Sequence, residues 1–186
     1  MERRQILKTA GVLATGSVAS LAGCSGSGNG DGGSEPTTTN PEETDTSGGS
    51  NTVMMVTEGS EYYFDPIGLF VESGETVTFE IQSGSHSATA YKEGTSSASV
   101  TRIPESAEMF NSETLSEQGA TYEHTFETTG TYDYFCIPHK SLGMVGRIVV
   151  GEPGGPAEGS MPPDGDVPES QTIVDQGSVS YSSFSG

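Results

Sequence analysis

The chain has 186 residues, only 31% of them hydrophobic, with 26 Gly, 10 Pro and no Trp. Spread evenly, that composition would struggle to bury a core, but 12 of the 14 Phe and Tyr fall between Tyr62 and Phe135; one compact domain of roughly 100 residues between low-complexity flanks is expected, and a two-domain enzyme is excluded. The net charge is −19 and three of the seven basic residues lie in the first eight positions, so there is no basic footprint for nucleic acid.

Residues 1–23 read as an export signal. Arg3, Arg4 and Lys8 precede a modestly apolar run, residues 9–23, that is too short and too rich in Gly and Ser to span a bilayer. Arg3-Arg4-Gln5-Ile6-Leu7-Lys8 resembles the twin-arginine export motif, with Ile6 where Phe is usual. Leu21-Ala22-Gly23-Cys24 resembles a lipobox, making Cys24 the expected lipidation site and the outer face of the cytoplasmic membrane the expected location. An ordinary secretory signal with an incidental Cys24 is the alternative. Residues 24–51 are almost entirely Ser, Gly, Thr, Asn, Asp, Glu and Pro, a composition that cannot offset the entropy of ordering, and read as a flexible tether.

From residue 52 to 152 the pattern changes to short segments of period two. Met54 and Met55 fall in the first of them. Val77, Phe79 and Ile81 alternate with Thr78 and Glu80; Tyr122, His124 and Phe126 with Glu123 and Thr125; Tyr132, Tyr134 and Cys136 form a third series, and Arg147-Ile148-Val149-Val150 a last strand. Ser73-Gly74, Ser83-Gly84 and Thr129-Gly130 break them. No long amphipathic helix is offered, although Ser106 to Phe110 could form one turn. The sum is an all-β Greek-key sandwich. Residues 153–186 are a low-complexity C-terminal extension, disordered or loosely ordered; Thr172-Ile173-Val174 and Ser178-Val179-Ser180-Tyr181 could instead dock as a strand.

The chemistry is concentrated in Cys136-Ile137-Pro138-His139-Lys140-Ser141-Leu142-Gly143-Met144. A thiolate, an imidazole and a thioether share one loop between two expected strands, and a second imidazole, His86, ends another strand 50 residues earlier. Two His and one Cys with a weak Met make a ligand set acceptable to both oxidation states of copper, so little moves when an electron arrives or leaves. Cys-x2-His-x4-Met closing a β-sandwich, with Tyr132-Asp133-Tyr134-Phe135-Cys136 and Gly143-Met144-Val145-Gly146-Arg147 around it, resembles the plastocyanin and halocyanin family of small blue copper proteins. The resemblance covers roughly residues 53–151. It implies one type 1 copper ion held by His86, Cys136, His139 and Met144, and a one-electron carrier between membrane-bound redox proteins, expected as a monomer. It also implies electron exchange at His139, with Phe135 marking a second surface route. The departure is Ser87, where plastocyanins usually have Asn. Pro138 has no N–H for the Cys136 sulfur, and fewer bonds to a thiolate favour the reduced metal.

Other readings stand beside this one. Cys, His and Met are commonly core residues without function, and an oxidising compartment would allow a Cys24–Cys136 disulfide. A copper store or chaperone is a rival, although such sites tend to be open and rich in Met or His; a metal-free binding module is another. A copper enzyme would need an open coordination position. His124 shares parity with Tyr122 and Phe126 and is expected to pack in the sandwich, while Lys140 and Arg147 read as surface charges. The acidity is dispersed along the chain, which favours a halophile's hydrated surface over steering of a cationic partner, since steering vanishes at a Debye length of about 3 Å in molar salt.

Overall fold

The computed structural model describes residues 51–185; the expected export signal, Cys24 and nearly all of the expected tether lie outside the described residues. The strands are β1 (Thr52–Glu58), β2 (Glu61–Asp65), β3 (Gly68–Val71), β4 (Glu75–Ile81), β5 (Thr89–Ala90), β6 (Thr121–Phe126), β7 (Gly130–Phe135), β8 (Val145–Val150) and β9 (Ser178–Val179). They form a sandwich of two mixed sheets, ordered β2-β1-β4-β6 and β5-β7-β8-β3-β9. The period-two faces are the buried faces: Val77, Phe79 and Ile81 of β4 are at most 1% exposed. Phe64, Phe79, Phe110 and Tyr134 meet between the sheets, with Tyr134 edge-on to Phe64 at 4.6 Å and to Phe79 at 5.4 Å. Such aromatic pairs contribute roughly 0.5–1.5 kcal/mol each beyond the area they bury. Ser106, expected in a helical turn, lies in a turn closed by the Ala107 N–H on the Pro104 carbonyl.

β7 and β8 pair antiparallel, and Phe135 opposite Val145 is the last rung before the connecting loop. Both strands are buried at every position. Alternation accounts for one face, with Tyr132 and Tyr134 turned to the core; the other face carries Thr131, Asp133 and Phe135 and is covered by residues beyond the sandwich.

That cover is the C-terminal extension, which is packed rather than loose. Ser178–Val179 adds β9 to the edge of β3. Thr172, Ile173 and Val174 lie not in a strand but in the helix α1 (Ser170–Gln176), followed by α2 (Tyr181–Ser185). Ile173 and Val179 are buried against Ile67 and Val149. Gly68 permits the approach: a Cβ there would meet Ile173 Cγ1 at 2.7 Å.

Arg147, expected at the surface, is 2% exposed, and this is the correction with the largest consequence. It stands opposite Asp133 in the β7–β8 register, and the Asp133 carboxylate, 0% exposed, accepts from Arg147 Nε at 2.7 Å and from Arg102 Nε at 2.7 Å. Arg147 Nη2 adds a third bond to the carboxylate at 3.1 Å, and the other guanidinium donors turn outward to the extension. Arg102 and Arg147 both reach the Ala157 carbonyl, at 2.9 and 3.2 Å, Arg102 also bonds Ser160, and Arg147 the Pro168 carbonyl at 3.2 Å. Two buried cations around one buried anion are tolerable because every guanidinium nitrogen finds an oxygen.

Candidate metal centre

At one end of the sandwich three donor atoms converge. His86 Nδ1 lies 3.6 Å from Cys136 Sγ, His139 Nδ1 lies 3.4 Å from the same sulfur, and the two imidazole nitrogens are 3.2 Å apart. They form the one cluster of His, Cys, Asp and Glu donors of this kind among the described residues. A point in the plane of the triangle lies about 2.0 Å from all three atoms, the length of a metal–imidazole bond and slightly short of a metal–thiolate bond. Soft sulfur beside two imidazoles is the donor chemistry of copper or zinc. A Cys24–Cys136 disulfide lies outside the described residues on the Cys24 side; Cys136 carries a free thiol.

His86 is fixed from both ends. Its backbone exchanges two hydrogen bonds with Leu115, at 2.9 and 2.8 Å. Its Nε2 lies 2.9 Å from the Ser83 carbonyl and 3.0 Å from Thr57 Oγ1. A carbonyl only accepts, so the ring proton sits on Nε2 and Nδ1 keeps its lone pair toward the sulfur. Gly84 makes room for this: its φ is +83°, and a Cβ would press on Thr57 and on His86 Nε2.

The loop after β7 closes on itself. The Cys136 N–H donates to the Met144 carbonyl at 3.0 Å, the Met144 N–H to the His139 carbonyl at 3.2 Å, and a single 3₁₀ turn (Lys140–Leu142) ends at Gly143 in the left-handed region. Met144 is fully buried and shares a core cluster with Cys136. Ser87 links the two ligand loops: its hydroxyl accepts the Ile137 N–H at 2.8 Å, and Thr89 beside it bonds Asn111 at 2.9 Å. Its own N–H reaches the Cys136 sulfur at 3.4 Å. The two ligand loops are thus tied through a hydroxyl rather than a carboxamide.

His139 is held differently. Tyr62 of β2 stacks on its ring, centroids 3.9 Å apart and planes 14° from parallel. The ring is partly exposed, and Leu142 beside it is 62% exposed. Phe135, by contrast, is 0% exposed, so the second surface route expected there is not at the surface. Tyr91 packs on Phe135 at 4.6 Å, and Lys140 Nζ lies over its ring at 4.8 Å. Lys140 is therefore no free surface charge: it donates to the Ser97 carbonyl at 2.6 Å and faces Asp164 at 3.5 Å. His124 is half-buried, away from the cluster, against Phe110 and Phe126 at 4.8 and 4.7 Å, as its parity implied. Tyr62, Thr57 and Ser83 were not singled out from the sequence; their signal is spatial, apart from the Ser83-Gly84 break immediately before His86.

Burial sets the protonation states. It depresses His86 to about 4, aided by the neighbouring His139 and opposed by the Ser83 carbonyl. Burial lowers His139 as well. It pushes the Cys136 thiol up, against the opposing pull of the Ser87 N–H. At neutral pH the pocket thus presents two neutral imidazoles and a thiol reluctant to ionise alone. A metal ion held by His86, Cys136 and His139 would supply the positive charge that favours the Cys136 thiolate.

The model of a family described as copper binding proteins, plastocyanin/azurin family, matches residues 50–151. The chain is 34% identical over 110 residues to a halocyanin from Natronomonas pharaonis, a match covering 58% of this chain and 60% of that one, less than two thirds of the relative's length. It is 32% identical over 105 residues to a plastocyanin from Scenedesmus fuscus, covering 53% of this chain and 97% of that one. Among solved structures, a pseudoazurin from Sinorhizobium meliltoi is similar at 26% identity with a TM-score of 0.46, over 68% of this chain and 91% of that chain.

Proposed function

Because the chain belongs to the plastocyanin/azurin family of copper-binding proteins, we propose that it is a type 1 copper electron carrier, taking one electron from a donor protein and passing it to an acceptor. The observation that carries this is the triangle of His86 Nδ1, Cys136 Sγ and His139 Nδ1. These three residues would hold the ion, with the buried Met144 thioether as the fourth and weaker ligand. Copper supplies the one-electron couple. The chain supplies rigidity: Ser83 and Thr57 fix one imidazole, Tyr62 the other, and Ser87 ties the loops, so the donors keep their places whichever charge the site carries. The partly exposed His139, with Leu142 beside it, is the face a partner would meet. Monomeric action, exchange with membrane-bound redox proteins and anchoring through Cys24 on the outer face of the cytoplasmic membrane complete the proposal. Arg3-Arg4 and the Leu21 to Cys24 stretch support that location.

The test is an optical spectrum after Cu(II) addition and then after ascorbate. An intense blue thiolate-to-copper band that bleaches on reduction, returns on oxidation and is lost in Cys136→Ser is expected. A copper-loaded protein lacking that band, or one that cannot be re-oxidised, would point to a store or chaperone and end the carrier reading.

A further inference from the structure

A route through Phe135 would require that side chain, or a conductive neighbour, to face a partner. The structure walls it off with Tyr91 and Lys140 and, outside them in the sequence, with residues beyond the stretch matched by the family model, which ends at residue 151. Phe135 and Val167 share a buried cluster, both 0% exposed. The hydroxyl of Tyr91, a buried member of that cluster, donates to Asp164 at 2.7 Å. The same carboxylate faces Lys140, whose ammonium roofs Phe135. Between Asp164 and Val167 the chain runs directly over the ligand loop: a Cβ on Gly165 would stand 3.0 Å from the Gly143 carbonyl and 2.9 Å from a Val145 methyl. Behind this segment Arg102 and Arg147 grip the carbonyls of Ala157 and Pro168, so the strap is anchored on the buried Asp133.

Resting on the carrier reading above, we propose that residues 164–167 seal the side of the site beside Phe135 and confine electron exchange to the single port at His139 and Leu142. Donor and acceptor then use the same surface, and neither binds while the other is docked. The chain acts as a shuttle that must release one partner to meet the next, and not as a bridge gripped from two sides.

The test is port mapping with a small anionic oxidant on the copper-loaded full chain. One electron leaves the Cu(I) protein and reduces one hexacyanoferrate(III) to hexacyanoferrate(II), followed by stopped flow. In about 1 M salt, where screening extends roughly 3 Å, only a charge at the point of contact is felt. Leu142→Lys, at the port, is expected to raise the second-order rate by about threefold or more, whereas Ser97→Lys, on the sealed side, changes it by less than about 1.5-fold. In an Asp164→Ala/Val167→Ala background, which loosens the seal, Ser97→Lys becomes accelerating. Equal acceleration by Ser97→Lys and Leu142→Lys in the otherwise unaltered chain overturns the proposal, as does a Ser97→Lys effect that stays absent once the seal is loosened. The blue band is recorded for every variant: its absence in the parent chain refutes the carrier reading, while its presence with either contrary rate pattern refutes the seal alone.

Discussion

Asp133→Asn is the sharpest perturbation of the fold, because it changes one charge and almost no volume. The parent carboxylate takes three guanidinium donors, at 2.7, 2.7 and 3.1 Å, with no exposure of its own. The carboxamide leaves two buried guanidiniums without their ion-pair partner and turns one acceptor into a donor facing them. Breaking a buried pair by removing one partner costs about 3–5 kcal/mol. Set against a typical domain stability of roughly 5–15 kcal/mol, that is a large fraction. With a urea m-value of about 2 kcal/mol per M, the unfolding midpoint falls by roughly 2 M. Far-UV circular dichroism in urea measures it, and amide exchange over residues 157–170 reports whether the extension loosens first. A midpoint shift below about 0.5 M would refute the account of Asp133 as the anchor of both arginines. The triple variant Arg102→Met/Asp133→Leu/Arg147→Met removes the charge problem but strands the carbonyls of Ala157, Ser160 and Pro168. It should therefore recover part of the loss while amide exchange in the extension stays fast.

Gly146→Ala puts a methyl group into the fully buried Tyr134 ring, and overpacking of this kind costs about 1–3 kcal/mol; a thermal melt indistinguishable from the parent would contradict it. Tyr62→Phe keeps the ring on His139 and should retain copper as the parent does, whereas Tyr62→Ala gives up roughly 0.5–1.5 kcal/mol of stacking and should release copper to a chelator several-fold faster; equal release from all three proteins would remove Tyr62 from the site. Burial alone would raise the Glu158 carboxyl, but hydrogen bonds from Ser170 and Thr131 and the charges of Arg147 and Arg102 bring it below its ordinary 4.5. A depressed carboxyl stabilises the fold above the unfolded value and loses that contribution as pH falls through the folded one, so melting temperatures should drop below about pH 4.5 and drop less steeply in Glu158→Gln. Parallel pH profiles for the two proteins would show that Glu158 contributes nothing there.

The strands and the donor set were legible for local reasons. Period two at Val77, Phe79 and Ile81 marks a face, and the Cys136, His139 and Met144 spacing fits one loop between two strands. What stayed hidden is non-local. Alternation along β7 says that Asp133 points away from Tyr132 and Tyr134, but not that the second face is covered; an aspartate there looks solvated until Arg147 opposite and Arg102 from a loop converge on it. The extension shows too few apolar residues to announce a core, because Ile173, Val179 and Val167 each fill a place prepared by another element. Phe135 then reads as a surface residue only while its cover is unknown. The Tyr62 stack is invisible for the same reason: 77 positions separate its ring from the one it supports.

Twenty acidic and four basic residues fall within positions 51–185, and the fold consumes all four cations. Arg102 and Arg147 lie in the clamp, Lys140 is bonded to the Ser97 carbonyl, and Lys92 to the Ala107 carbonyl at 2.7 Å. The exterior of the domain is thereby left strongly negative, with only the partly buried Lys92 and Lys140 against its carboxylates. Wherever ions are too dilute to screen it, such a particle keeps its distance from anionic surfaces and from its own copies. Leu142, 62% exposed beside the partly exposed His139, is one uncharged place on that exterior.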